Sequence, residues 1–142
     1  MSLNVSEGIV NSEYVLDFLL SGRCECAIHN IKTGNRFLYK VQQNKENKEM
    51  YFVKSITGLG DIYAGFIIYK DGQVTYSKGA KGNLGIDDIR IQALLYVFNH
   101  HDRLPPYVIV QHFGKCGRCG RKLTDLESVR RGLGPECAKK IF

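Results

Sequence analysis

Apolar and polar positions along the chain change their period several times, and each change marks an element. The first apolar stripe, over 13–20, has helical spacing. Ser12 is placed to cap it and Gly22 to end it. Strand-like runs then follow in quick succession at 24–31, 36–42, 50–56, 62–70 and 73–77. Lys32-Thr33-Gly34-Asn35 and Asp71-Gly72 between them carry hairpin turn chemistry, while the polar run 44–49 reads as a flexible loop. Connections this short favour an antiparallel meander. After the Gly-rich segment 78–85 the period becomes helical again over 86–101. Ile86, Ile89, Ala93 and Val97 share one stripe, widened by Ile91, Leu94, Leu95 and Phe98. A stripe that wide packs on a sheet. Pro105-Pro106 stops the helix, and 107–111 is a short extended segment leading into a cysteine-bearing tail.

The predicted fold class is therefore α+β. A five-stranded antiparallel sheet is packed by one main helix, and a small C-terminal module follows. The boundary is placed at the prolines, dividing the chain into 1–106 and 107–142.

The tail supplies the candidate chemistry. Cys116 and Cys119 form a C-x2-C pair whose glycines, Gly117 and Gly120, permit a tight knuckle. Cys137 follows at a distance usual for the second half of a zinc site. Between them, Thr124-Asp125-Leu126-Glu127 reads as a capping box for a helix over 125–131, which Gly132 ends. Pro135 suits the first turn of a final helix that contains Cys137. A knuckle and a helix N-terminus sharing one ion is a treble-clef-like arrangement. Structural zinc takes four ligands. The position where a standard module would place the fourth is Lys140, so His112, four residues before Cys116, is the expected fourth ligand, ahead of His100 and His101.

Three other readings of the cysteines are weaker. Free buried thiols need no such spacing. A thioredoxin-type redox pair should open a long helix, whereas Gly120-Arg121-Lys122 follows here. A zinc deaminase needs H-x-E and P-C-x-x-C, and neither is present. Cys24 and Cys26 share one face of a strand and read as core packing.

Composition narrows the picture further. The formal net charge is +6, yet residues 111–142 hold eight basic and three acidic side chains, a net +5. Such asymmetry points to an anionic partner. Nucleic acid is the first expectation, with Arg118, Arg121, Lys122, Arg130 and Arg131 as phosphate contacts. Phe37 with Tyr39, and Tyr63 with Tyr69, share strand faces at which rings can stack on bases or pack beneath the main helix. No run approaches a membrane span, no small-molecule substrate is evident, and MSLNVSEGIV has no basic-then-apolar leader. With an odd number of cysteines, five, this makes a reducing cytoplasmic location the expectation. Nothing in the chain pairs a nucleophile with a base and an orienting group. Asp87-Asp88 suits a helix N-terminus, and KGAKGNLG lacks the ending of a phosphate loop. The expectation is a protein without catalysis.

The run CGRCGRKLTDLESVRRGLGPEC, residues 116–137, resembles a small C-terminal domain of unknown function found in phage and prophage proteins. The likeness rests on Cys116, Cys119, Gly120, Arg121, Leu123, Thr124, Ser128, Gly132, Gly134, Pro135 and Cys137. A histidine shortly before the first cysteine is also common there, in line with His112. The resemblance implies a phage-encoded accessory protein in the host cytoplasm. It also opens a second functional expectation: a protein-binding inhibitor or adaptor directed at a host enzyme or defence system, in the manner of anti-CRISPR proteins.

Overall fold

The computed structural model describes residues 8–140. Most of the segment read for a secretory leader, residues 1–7, therefore lies outside the described residues. A 3-10 turn at Ser12–Tyr14 leads into α1 (Val15–Leu19). A meander follows, of β1 (Arg23–Asn30), β2 (Arg36–Gln43), β3 (Met50–Thr57), β4 (Gly60–Lys70) and β5 (Gln73–Ser77). Then come α2 (Ile89–His100), β6 (Val108–His112), α3 (Leu126–Arg131) and α4 (Pro135–Lys140). Among the described residues, no helix is long and apolar enough to cross a membrane.

The sheet has six strands, in the order β5-β4-β3-β2-β1-β6, with every pair antiparallel. The expected five are there, and β6 is the addition. It pairs with β1 in the register Cys26↔His112 and Ile28↔Val110. Its other side is covered in turn: the Val10 N–H donates to Val110 O, and the His112 N–H donates to Gly8 O. The outer edge of β6 is thus not left as an open template for pairing.

Alternation along the strands puts Cys24, Cys26, Tyr39, Val41, Val53 and Ile67 into one fully buried cluster with Phe18 and Leu19 of α1 and Ile91, Leu94 and Val97 of α2. The Tyr39 hydroxyl reaches across to α2 and donates to Arg90 O at 2.6 Å. Cys24 and Cys26 are core residues, as expected, and burial pushes the Cys24 thiol well up.

Three local expectations change. The main helix starts at Ile89, because the Asp88 carboxylate accepts from the Arg90 N–H at 2.9 Å and caps it there. Ile86 and Ile89, assigned to the packing stripe, are consequently exposed at 51% and 58%. Tyr63 and Tyr69 do not share a face. The β3–β4 register shifts at Val53/Lys54, where Tyr63 and Gly65 oppose consecutive residues and Ala64 is passed over. Tyr63 therefore stands edge-on to Phe52 at 6.2 Å, while Tyr69 packs against the core. Asn11 rather than Ser12 precedes the first helical turn, and no side chain caps it.

Candidate metal centre

The tail folds around three sulfurs. Between Gly114 and Leu123 the chain doubles back, with Leu123 N–H donating to Gly114 O and Cys116 N–H to Arg121 O. At its tip the Gly120 N–H donates to Cys116 O, closing the knuckle that holds Cys116 and Cys119. Asp125 then starts α3. Its carboxylate accepts from the Ser128 N–H at 3.1 Å and the Ser128 hydroxyl at 2.7 Å. Asp125 is the cap, one residue later than the Thr124 capping box predicts. Gly132 ends α3 at φ 72°, the left-handed conformation expected of it. Pro135 opens α4 and brings Cys137 back to the knuckle.

The Sγ atoms of Cys116, Cys119 and Cys137 all lie within 4.8 Å of one another. Cys116 and Cys137 are buried, and Cys119 is exposed. The three are close enough to hold a metal ion, an arrangement consistent with zinc, which bonds sulfur at about 2.3 Å. The donor set fits in its electrostatics as well. Burial pushes the Cys116 thiol up. The backbone amides of Gly134, Cys119 and Arg118, with the Cys119 side chain, more than offset this, and the net shift is downward, toward thiolate. The Arg118 N–H lies 3.4 Å from Cys116 Sγ. Cys137 is pushed up, by burial first and then by sharing its site with Cys119 and Cys116, with the Arg118 side chain opposing. Packing gives a further reason for a metal. Among the described residues, the module's own buried cluster beside the cysteines is Leu123, Leu133 and Ala138, with Val129 at its margin. An apolar nucleus this small does not hold a segment in place unaided.

His112 is not part of the cluster. It is 2% exposed, and both ring nitrogens are engaged elsewhere. A carbonyl can only accept, so Nε2 carries the proton and donates to Val129 O at 2.7 Å. Nδ1 accepts from the Gly114 N–H at 2.8 Å. A neutral imidazole in that tautomer has no lone pair left for an ion. Burial holds the His112 ring below its ordinary 6.5, against an opposing pull from the Val129 carbonyl. The expected fourth ligand is instead a strut between β6 and α3, edge-on to Phe18 at 6.2 Å. The alternative, His100, stacks on Tyr96 at the end of α2.

Phe18 is the other residue that seats the module, and nothing in its sequence context beyond its apolar character points to that role. A Cβ on Gly117 would come within 3.0 Å of its ring, and one on Gly132 within 2.5 Å. The Arg23 N–H to Gly117 O bond, 2.7 Å, and the Asn11 N–H to Arg130 O bond, 3.0 Å, tie the same surfaces.

The five candidate phosphate contacts are not equivalent. Arg118, Arg121, Lys122 and Arg130 are exposed and in no ion pair among the described residues. Arg131 is half-buried, bonded to Glu127 at 3.0 Å and laid over the Tyr14 ring at 4.9 Å. Arg23, Lys45 and Lys48, absent from the candidates read in the sequence, line a cleft beside Cys119. Their visible signal was the two lysines of the 44–49 run, which reads as a flexible loop.

Fold and site together define a small α+β protein with a C-terminal three-cysteine module of metal-binding type. Residues 110–142 match the model of a family of unknown function, DUF6011, which covers the cysteine segment and the end of β6. No curated protein and no solved structure matches the chain.

Proposed function

We propose that the chain is a non-catalytic accessory protein, of the phage-encoded kind that residues 116–137 resemble, which binds nucleic acid through the basic surface of a zinc-stabilised C-terminal module. Cys116, Cys119 and Cys137 would hold the zinc. The ion stabilises the segment that carries the cations and takes no part in a reaction. One observation carries this reading: Arg121, Lys122 and Arg130 are exposed and in no ion pair among the described residues, on the segment that carries the cysteine cluster, with Arg118 exposed beside them. Fixed cations replace the counterions condensed on a phosphate backbone, and each contact makes affinity fall as salt rises.

The test is binding of labelled single- and double-stranded DNA at two salt concentrations. Binding that weakens steeply with salt supports the reading, and absence of binding at low salt removes it. A second reading has its own observation. A groove of about 520 Å³ between α2 and the β1–β2 hairpin is lined by Ile28, Phe37, Ile89, Leu95 and Tyr96, and Ile89 stands exposed beside it. Such a surface suits a protein partner, as an inhibitor or adaptor would require. Recovery of one stoichiometric host protein, lost on Ile89→Asp, would favour it.

A further inference from the structure

Cys119, the exposed sulfur of the cluster, opens onto a cleft of about 480 Å³ between the knuckle, the start of β1 and the β2–β3 connection. Four cations line it, Arg23, Lys45, Lys48 and Arg118, together with amides such as Gln42 and Asn44. No carboxylate of the described residues does. None of the four cations is in an ion pair among the described residues. Glu46 and Glu49 alternate with the two lysines on the same connection but do not line the cleft, and Glu25 of β1 lies 3.7 Å from Lys40 and 3.9 Å from Lys115.

The walls are fixed by hydrogen bonds. The Arg23 N–H binds the knuckle at Gly117 O, and the Gln43 N–H binds Gly22 O at 3.0 Å. The Gln43 side chain holds the connection itself, donating to Lys48 O at 2.9 Å, and Asn44 Oδ1 accepts from the Glu46 N–H at 2.8 Å. Lys45 and Lys48 therefore stand on a hydrogen-bonded turn. The cations come from three segments of the chain, and several at one opening suit a polyanion.

Resting on the nucleic-acid reading above, we propose that this cleft is the main site at which the phosphodiester backbone of a nucleic acid is held. Arg118 is the tail's contribution to it, and Arg23, Lys45 and Lys48 are contributed by the sheet domain.

Two double variants, each removing two positive charges, test this. Lys45→Gln with Lys48→Gln alters the cleft, and Lys122→Gln with Arg130→Gln alters the tail outside it. All four side chains are exposed and in no ion pair, so both variants should keep the fold, which circular dichroism checks. Binding of labelled oligothymidylate is followed by fluorescence anisotropy across a salt series. For a single strand each phosphate contact contributes about 0.7 to the slope of log K against log salt. The cleft variant should lose about 1.4 from the slope and bind roughly 25-fold more weakly at about 0.1 M salt. The tail variant, whose cations belong to the same binding surface, should lose less of the slope than the cleft variant. Equal losses in both variants, or a loss confined to the tail variant, would overturn the cleft while leaving nucleic-acid binding intact. No salt-sensitive binding by the unsubstituted chain would overturn the reading beneath it. Labelled poly-glutamate binding as tightly as the oligonucleotide would overturn the assignment to nucleic acid.

Discussion

Replacing His112 separates a metal ligand from a strut, because the two roles predict opposite patterns of loss. His112→Ala removes the bonds to Val129 O and the Gly114 N–H, each worth about 1 kcal/mol net. It also leaves a void where a 2%-exposed ring packed against Phe18, costing about 1 kcal/mol more. The sum, about 3 kcal/mol, lowers the melting temperature of a chain this size by about 10 °C. Zinc content should stay at that of the unsubstituted protein, because the three sulfurs are untouched. His112→Gln, whose amide both donates and accepts, should recover part of the stability. The measurements are thermal unfolding by circular dichroism and elemental analysis of the same samples. If His112→Ala loses its zinc as Cys119→Ser does, or melts unchanged, the strut assignment is wrong.

Three further outcomes follow from the packing and the charges. The buried His112 ring resists protonation below its ordinary 6.5. The unfolded chain then binds a proton that the folded chain refuses, so stability rises with pH through the window just below 6.5 and is lost on acidification. Between pH 7 and 5 the melting temperature should fall more steeply in the unsubstituted protein than in His112→Ala. Gly132→Ala strains a residue at φ 72° and drives a methyl to within 2.5 Å of the Phe18 ring. It should cost about 2–4 kcal/mol in chemical denaturation, and a cost under about 0.5 kcal/mol would mean that α3 is not seated on α1. Cys119→Ser should release the tail to limited proteolysis while the far-UV signal of the sheet survives. Complete loss of that signal would contradict a main core built from α1, α2 and the strands, separate from the cysteine module.

The elements that were legible in the sequence are those with local causes. β1 to β5 follow from alternation bounded by turn residues, and Asp71-Gly72 has the positive φ values, 53° and 76°, that its hairpin turn demands. The knuckle, the glycine end of α3 and the proline start of α4 are local as well. What escaped has non-local causes. The segment 107–111 looks merely extended until β1, far back along the chain, offers it an edge. His112 is close to Cys116 in sequence. The register of β6, however, sets it opposite Cys26, and its ring runs to α3 and not to the sulfurs. The bulge that parts Tyr63 from Tyr69 leaves no mark in the alternation of residue types. Asp125 displaced Thr124 as a cap because both are cap-forming residues, and only the fold decides which one reaches Ser128.

Whether three thiolates share one ion can be read by X-ray absorption at the zinc edge on the intact purified chain. One zinc per chain with three sulfur scatterers at about 2.3 Å and one lighter atom is expected. A zinc-free preparation after growth in zinc-replete medium, or a spectrum with fewer than three sulfurs, would contradict it.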